Sequence, residues 1–219
     1  MLKRRAMLPE LLNQQTCSRL IDIHSRYSRR YSAFNGTYKA IEGWALARRA
    51  TLEELAFVDG VRNHIRDALV ASLSLRRIPR FQSTELVSVG AGAEFESHVD
   101  NADWDPRRAR WVRSSFWFRS HTMIVYLADS GVTFRGGDLF FPDRFGRVQE
   151  CIVPKAGLGV AFSSGPSNRH GTTPVESGRR FTLATWFCRS RRFGEPDALA
   201  AGQFPPPIGA NVNVIPLDD

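Results

Sequence analysis

The chain has 219 residues, of which 42% are apolar, a proportion ordinary for a globular protein with a sizeable core. No stretch approaches the ~18 uninterrupted apolar residues of a membrane-spanning helix, so a membrane partner is not expected. The N-terminus lacks the apolar segment of a secretory signal, and the three cysteines have no metal-ligand spacing. We therefore expect a cytoplasmic protein that folds as a single domain over 1–219.

The net charge of +8 at pH 7 comes almost entirely from arginine, because the chain has only three lysines. Guanidinium groups bind carboxylate and phosphate bidentately, so this composition reflects either coding bias or the recognition of planar anions. The arginines are scattered apart from clusters at 107–113 and 189–192. This distribution favours a generally basic surface over a nucleic-acid footprint, and nucleic acid is not expected as a partner.

Two helices are predicted before the character of the chain changes near residue 80. The first spans 8–31, where apolar residues recur at helical spacing and Pro9 suits a first helical turn. The second spans 51–75, and Thr51 with Glu54 has the spacing of a capping box at its start. These helices make 1–80 the N-terminal helical support of the predicted domain.

The segment between the two predicted helices and three of the histidines are not expected to belong to a functional site. The segment 34–44 between the helices is predicted to be a loop or a short hairpin. His24 and His64 lie in the predicted helices and are expected to be exposed, and His121 is expected to be structural.

The region 81–190 is predicted to be a β-rich core. Its short runs of Val, Phe, Thr and Tyr are separated by Gly, Pro, Asp and Ser, which is typical of strands joined by turns. Eight such segments occur, namely TELVSV, AEFESHVD, TMIVYLAD, GDLFFPD, QECIVPK, LGVAFSS, HGTTPVE and RFTLATWFC. Helices followed by many strands predict an α+β, mainly β, chain with a sandwich or jelly roll. The remainder, 191–219, is predicted to be an extended C-terminal tail.

The segment FESHVDN places His98 and Asp100 at positions i and i+2 of a predicted strand, so both side chains face one side. His170 lies about seventy residues later at the start of another predicted strand. Strands distant in sequence become neighbours in a jelly roll, and two imidazoles with one carboxylate form the facial triad of non-haem Fe(II) oxygenases. The alternative is a pair of hydrogen-bonding groups, because a lone His-x-Asp often occurs by chance.

A second chemical signal follows ten residues after His170. Arg180 opens an apolar strand, and an arginine that faces a β-rich core needs an anion as its partner. A ligand carboxylate bound bidentately would supply that anion. Thr182 lies on the same face and would add a hydroxyl to the same carboxylate. Trp186 shares this face as well, and either lines the pocket or packs in the core.

In the order of these motifs, the chain resembles the prolyl 4-hydroxylase-like branch of the Fe(II)/2-oxoglutarate-dependent oxygenases. The resemblance rests on His98-Val99-Asp100, on the segment 126–141 and on the segment 169–187. It covers roughly Glu85 to Phe187. It implies a double-stranded β-helix with N-terminal helices packed on its major sheet.

The resemblance also implies a role for individual residues. His98, Asp100 and His170 match the iron ligands of the family, and Arg180 matches the basic residue that binds the far carboxylate of 2-oxoglutarate. Tyr126 matches a tyrosine that shares this carboxylate. The implied cofactors are Fe(II), 2-oxoglutarate and O₂, with ascorbate expected to stimulate the reaction.

Two neighbouring features are interpreted through the same family pattern. Arg179 is the rival of Arg180, but strand alternation sends its side chain to the opposite face and into solvent. Gly136 and Gly137 match paired glycines before a core strand, where we expect a turn with positive φ and a close backbone approach.

The expected reaction is hydroxylation of an unactivated C–H bond of a small metabolite, amino acid or peptide, with release of succinate and CO₂. Anionic substrates are among the candidates. A protein prolyl or other side-chain hydroxylase is the first alternative. The second is a non-catalytic jelly-roll binding module, although such a module would have no reason to bury Arg180.

Two departures from the family pattern concern the substrate. Val89 and Phe95 occupy positions where many relatives have tyrosines, so hydroxyl contacts from those positions are lost or replaced. The stretch 101–121 mixes arginines with aromatic residues after the His-x-Asp motif. We interpret it either as a substrate lid or as a surface flap. The candidate substrate residues are Trp104, Trp111, Arg113 and Trp186.

Overall fold

The computed structural model describes residues 5–31 and 36–201. The helices are α1 (Gln14–Tyr27), α2 (Gly43–Leu46) and α3 (Leu52–Ser72). The strands are β1 (Arg5–Leu8), β2 (Arg29–Arg30), β3 (Lys39–Glu42), β4 (Arg80–Gly90), β5 (Phe95–His98), β6 (Ala102–Asp105), β7 (Arg110–Arg113), β8 (Arg119–Tyr126), β9 (Phe134–Gly136), β10 (Leu139–Pro142), β11 (Val148–Ile152), β12 (Gly159–Ser163), β13 (His170–Thr172) and β14 (Val175–Cys188). In the described residues, no helix has the length and apolar character needed to cross a membrane.

Two antiparallel sheets form the β-rich core, and they confirm the predicted jelly roll, a double-stranded β-helix. The major sheet has the strand order β1-β12-β8-β14-β4-β3-β2, with β9 also paired to β14. The minor sheet has the order β11-β10-β13-β5, and β6 with β7 forms a separate hairpin. Apolar side chains from β8, β10, β11 and β12 pack together between the sheets. This packing leaves a space between the sheets at the ends of β5 and β13.

The helices cover the other face of the major sheet. Met123 and Val125 of β8 and Leu183 of β14 point to the helices and join their buried apolar residues in the largest cluster. Successive residues of a strand point to opposite faces, so the residues between them face the minor sheet. This alternation separates the stabilising core from the side chains available for a site.

The two long helices begin at well-formed caps. Thr51 accepts a hydrogen bond from the Glu54 backbone while the Glu54 carboxylate accepts one from the Thr51 backbone, which confirms the predicted capping box. The first helix begins later than predicted, at Gln14, because Asn13 caps it. Pro9 lies in a turn after β1, so the prediction that it begins the helix is wrong.

Each of the eight predicted strand segments contains a strand, but six observed strands were not predicted. The segment 34–44, predicted to be a loop or a short hairpin, contains β3, which pairs antiparallel with β2 on one side and with β4 on the other in the major sheet. The beginning of that segment lies outside the described residues. The stretch 101–121, interpreted above as a substrate lid or a surface flap, contains the β6–β7 hairpin and the start of β8.

The predicted tail is described only as far as residue 201, and this part packs against α3. The Arg62 guanidinium donates to the Glu195 carboxylate at 3.1 Å, and the Leu199 backbone N–H donates to Asp59 at 2.8 Å. Leu199 is fully buried, so this portion is anchored by specific contacts. The rest of the predicted tail lies outside the described residues.

His24 is buried, with 2% of its surface exposed, so the prediction that it is exposed is wrong. It lies in α1 on the face toward the major sheet, where its ring packs edge-on against Phe181 at 5.3 Å. Burial and the nearby Arg179 and Lys39 cations lower the pKa of His24 to about 4, although a hydrogen bond to the Lys39 carbonyl opposes the shift. The folded protein therefore holds this imidazole in its neutral form.

This burial predicts a loss of stability in mild acid. The unfolded chain takes up a proton at His24 near pH 6.5 while the folded chain does not, so acidification through that range favours unfolding. Lowering the pH from about 7.5 to about 5 is expected to reduce the free energy of unfolding by about 2 kcal/mol through this residue. In His24→Phe, measured by urea unfolding, the same change of pH should lower the free energy of unfolding by about 2 kcal/mol less than in wild type. His64→Gln, at an exposed histidine of α3, serves as the control, and an equal pH dependence in His24→Phe would contradict the assignment.

Candidate functional site

The structure brings His98, Asp100 and His170 together. His98 ends β5 and lies directly opposite His170, the first residue of β13, in the minor sheet. Asp100 follows in a tight turn in which Val99 bridges to Ala102, so it does not continue the strand as predicted. One ligand atom from each of the three side chains lies within 4.8 Å of the others. This arrangement can hold a metal ion.

The two imidazoles are held in the orientation that a metal ligand requires. His98 Nδ1 lies 2.8 Å from the Glu96 carbonyl, and His170 Nδ1 lies 2.9 Å from the Asn168 carbonyl. A carbonyl oxygen only accepts hydrogen bonds, so each Nδ1 carries the proton in these contacts. In the neutral ring, which is the form that binds a metal, Nε2 then presents its lone pair to the space shared with Asp100.

The carboxylate and the buried imidazole have complementary electrostatics. Burial opposes ionisation of Asp100, but His170, a hydrogen bond from Thr122 and the Arg119 cation outweigh it and lower its pKa. Burial also lowers the pKa of His170, against the attraction of Asp100. These shifts favour an ionised carboxylate beside a neutral imidazole, which are the forms that bind a metal.

The chemistry of this donor set fits Fe(II). Two neutral imidazoles and one carboxylate on one side of an ion leave its other coordination positions open. Asp100 and His170 are buried, whereas 44% of the His98 side chain is exposed. The metal position therefore lies at the edge of the space between the sheets, where it can be reached from outside.

A pocket of roughly 630 Å³, including its part open to solvent, extends from the three ligands into this space. Three cross-strand pairs of β8 and β14 build its wall because alternate residues face it. From the ligand end inward these pairs are Thr122 with Trp186, Ile124 with Ala184, and Tyr126 with Thr182. The polar pairs thus lie at the two ends of the wall and the apolar pair lies between them.

Arg180 lies at the inner end of this pocket with 4% of its surface exposed. Its NH1 donates to the Gly137 carbonyl at 2.9 Å, and its Nε has no hydrogen-bond partner among the described residues. No carboxylate of the described chain lies within ion-pair distance of it. Burial lowers the pKa of Arg180, but an arginine remains charged in proteins. A buried guanidinium with an unused donor is suited to an anionic ligand.

The paired glycines allow the chain to pass close to Arg180. Gly136 and Gly137 have φ values of 72° and 69°, as predicted from the need for a turn with positive φ. A Cβ at Gly136 would lie 2.2 Å from the Pro174 carbonyl oxygen, and one at Gly137 would lie 3.1 Å from the Arg180 Cδ. These two positions therefore require glycine.

Thr182 lies on the same face of β14 as Arg180, as strand alternation predicts, and Tyr126, which the resemblance implied, lines the same pocket. Burial raises the pKa of Tyr126 to about 12, so its hydroxyl stays protonated and can donate to an anion. Thr182 is buried directly opposite Tyr126. Together the three side chains can offer a guanidinium and two hydroxyl groups to one carboxylate.

Arg179 points to the opposite face, as strand alternation predicts, but it does not extend into solvent. Its NH1 donates to the Thr37 carbonyl at 2.8 Å and to the Ser88 hydroxyl at 3.1 Å. It is half-buried at the edge between β14 and β4 and does not line the pocket.

The candidate substrate residues fall into two groups. Trp186 lines the pocket, and its Nε1 donates to Asp100 Oδ1 at 3.1 Å, so it contributes to the site rather than only to the core. Trp104 and Trp111 lie opposite each other on the β6–β7 hairpin, with ring centroids 5.4 Å apart and Trp104 52% exposed. Arg113, at the end of the hairpin, stacks on Trp117. These three hairpin residues are not part of the pocket wall.

Several residues of the site were not predicted from the sequence. Thr122 could have been found, because it lies at i−4 from Tyr126 on the same face of one strand. Tyr38, the residue before β3, reaches the pocket and packs edge-on against Phe95, with the ring centroids 6.4 Å apart. It brings an aromatic hydroxyl to the region where Phe95 lacks one. Arg119 stacks on Trp186 at 4.3 Å behind the metal ligands.

Comparisons with known proteins agree with this geometry. The model of the 2OG-Fe(II) oxygenase superfamily matches residues 84–188, a range that includes every residue assigned above to the metal and anion sites. Prolyl 3-hydroxylase 3 of Mus musculus is 40% identical over 93 residues, which make up 41% of this chain but only 12% of that longer relative.

Solved structures with the same fold extend the likeness beyond that range. A collagen prolyl hydroxylase of Paramecium Bursaria Chlorella virus-1, solved with 2OG, has a TM-score of 0.61 at 18% identity, over 86% of this chain and 97% of that one. A Trichoplax adhaerens prolyl hydroxylase, solved with a hypoxia inducible factor peptide fragment, has a TM-score of 0.60 at 15% identity, over 85% and 84% of the two chains. Such low identities show a shared fold. The family match over residues 84–188 and the cluster of His98, Asp100 and His170 agree with that fold, so the chain resembles the 2OG-Fe(II) oxygenase superfamily, in its prolyl hydroxylase-like branch.

Proposed function

We propose that the chain is an Fe(II)- and 2-oxoglutarate-dependent hydroxylase that acts on a prolyl residue of a peptide or protein. One observation carries the reaction class, namely that the three ligands lie at one end of a pocket whose other end holds Arg180, which has no carboxylate partner among the described residues. The names of the relatives, which are prolyl hydroxylases, support the substrate class.

The side chains at the two ends of the pocket would bind different groups. His98, Asp100 and His170 would hold the iron, which with 2-oxoglutarate and O₂ supplies the oxidation that converts a C–H bond to C–OH and releases succinate and CO₂. Arg180, with Tyr126 and Thr182, would bind the carboxylate of 2-oxoglutarate that is far from the metal. The apolar middle of the wall keeps water away from the reacting groups.

The surface next to the metal position favours a peptide over a small metabolite. The β6–β7 hairpin begins two residues after Asp100 and carries the exposed Trp104 with its partner Trp111. Proline-rich segments bind to grooves lined by aromatic side chains, because their extended conformation loses little entropy on binding. We infer that this hairpin contacts the peptide on one side of the target residue. Arg113, at its end, would favour an acidic neighbour in that peptide.

Hydroxylation of a peptide series tests this proposal. With Fe(II), ascorbate and 2-oxoglutarate, a proline-rich peptide is expected to gain the mass of one oxygen atom on a prolyl residue, with one succinate formed per hydroxylation. The same peptide with its prolines replaced by alanine is the matched control and should gain nothing. Hydroxylation of free amino acids or small acids, with none of the peptides modified, would contradict the peptidyl-proline assignment and favour a small-metabolite enzyme.

A further inference from the structure

The Asp100 carboxylate is held from two sides by different donors. Trp186 Nε1 donates to Oδ1 at 3.1 Å, while the Thr122 hydroxyl donates to Oδ2 at 2.5 Å. The second distance lies in the range of strong hydrogen bonds between a hydroxyl and a carboxylate. Each oxygen of the ligand therefore has its own fixed partner.

Thr122 is in turn held by Ser164, whose hydroxyl lies 2.9 Å from the Thr122 hydroxyl. An ionised carboxylate only accepts hydrogen bonds, so the single hydroxyl proton of Thr122 is directed to Asp100. Ser164 must then donate to Thr122. Both hydroxyl residues are 1% exposed, so water does not compete for these bonds. The chain of donors runs in one direction, from Ser164 through Thr122 to Asp100 Oδ2.

The two oxygens of Asp100 differ in their position relative to the other ligands. Oδ1 lies 3.8 Å from His98 Nε2, which carries the lone pair meant for the metal. Oδ2 is turned into the protein, toward the buried hydroxyls of β8 and of the residue after β12. Because Trp186 leaves Oδ1 with a further lone pair, this oxygen can still bind a metal.

We propose that Thr122, supported by Ser164, is a positioning residue that holds Asp100 Oδ2 away from the metal, so that the ligand contributes only Oδ1. A carboxylate that turned both oxygens to the metal would occupy one more coordination position. That position is needed by 2-oxoglutarate or O₂ in the proposed function, on which this inference rests. The hydroxyl pair thus keeps the site open without contacting substrate.

Thr122→Val tests this role because it removes the hydroxyl and keeps the shape of the side chain. Oδ2 is then buried without a partner, an unfavourable state that rotation toward the metal relieves. Thr122→Ser retains the hydroxyl and is the rescue variant. Thr185→Val is the matched control, since Thr185 is fully buried in β14 and its hydroxyl has no hydrogen-bond partner in the described part of the chain. Thermal unfolding of each variant shows whether it is folded.

The readout is binding of Co(II) and then of 2-oxoglutarate, in the absence of turnover. In Thr122→Val we expect Co(II) to bind with an altered visible absorption spectrum and 2-oxoglutarate affinity to fall roughly 10-fold or more. Thr122→Ser and Thr185→Val should keep the wild-type spectrum and an affinity within about threefold of wild type. Ser164→Ala should give a smaller change in the same direction as Thr122→Val.

Three results would overturn the inference. A wild-type spectrum and 2-oxoglutarate affinity in Thr122→Val would show that the hydroxyl does not position Oδ2. If Thr122→Ser showed the same altered spectrum and the same loss of 2-oxoglutarate affinity as Thr122→Val, the effect would come from packing and not from the hydroxyl. Loss of Co(II) binding in Thr122→Val would show that the hydroxyl is needed for metal binding itself. Failure of the wild-type protein to bind Co(II) and 2-oxoglutarate would instead refute the proposed function, and this inference with it.

Discussion

Asp100→Asn is expected to lower the affinity for Fe(II) or Co(II) by more than roughly 100-fold, because even the outer partners of metal ligands contribute about 10- to 100-fold. The substitution removes the only anionic donor of the cluster while keeping its size. Two neutral imidazoles then remain, and His98 is exposed to competing water. Metal binding is measured by titration of the apo protein with Co(II), followed by its visible absorption.

His170→Ala provides an independent test of the same centre. It removes a buried ligand from the opposite strand of the minor sheet, and an equally large loss of Co(II) affinity is expected. Asp67→Asn, at an exposed aspartate of α3, controls for the change in net charge. Wild-type Co(II) affinity in both Asp100→Asn and His170→Ala, with folding intact, would show that the metal lies elsewhere.

Arg180→Met is expected to raise the 2-oxoglutarate concentration needed for half-maximal turnover by roughly 100-fold or more, because truncating one partner of a buried charge pair costs about 2–5 kcal/mol. The guanidinium is 4% exposed, so water cannot replace it as the partner of the ligand carboxylate. The metal ligands lie at the other end of the pocket, so Co(II) affinity should stay at the wild-type value. The measurement is succinate formation as a function of 2-oxoglutarate concentration.

Arg179→Met is the matched control for this prediction. It removes a neighbouring arginine of the same strand that bonds to Thr37 and Ser88 on the opposite face. Its 2-oxoglutarate requirement should match wild type, while Tyr126→Phe should raise the requirement by only about fivefold, the effect of one hydrogen bond of about 1 kcal/mol. If Arg180→Met needed the wild-type concentration of 2-oxoglutarate while Arg179→Met or Tyr126→Phe needed a much higher one, the residue affected, and not Arg180, would bind the carboxylate.

The strands and helices that could be predicted are those whose own sequence shows a clear hydrophobic alternation or a capping motif. The segment 180–188 alternates between pocket and helix faces along its length, and the capping box at Thr51 is a local signal. The short strands β2 and β3 are charged and lie at the edge of the major sheet. β3 pairs with β4 and β2 pairs with β3, and no local sequence pattern predicts these partners. The burial of His24 likewise depends on which helix face meets the sheet.

The same distinction applies to the site. The spacing of His98 and Asp100 and the position of Arg180 at the start of an apolar strand are visible in one stretch of sequence each. Ser164 has no such signal, and the spacing of Thr122 from Tyr126 shows only that the two share a strand face, because the contact of Thr122 with Asp100 depends on strand register. Thr122 meets Asp100 only because β8 lies next to β14 with Thr122 opposite Trp186. The sequence therefore predicts the chemistry of the ligands but not the side chains that orient them.

Metal-dependent conversion of 2-oxoglutarate to succinate by the purified chain tests the central claim most directly. The protein is incubated with ascorbate and 2-oxoglutarate, with and without Fe(II), and succinate is quantified for wild type and for Asp100→Asn. We predict succinate formation by wild type only when Fe(II) is present, even slowly without a peptide substrate, and none by Asp100→Asn. No succinate from wild type, together with no 2-oxoglutarate binding to the metal-loaded protein without O₂, would contradict the assignment.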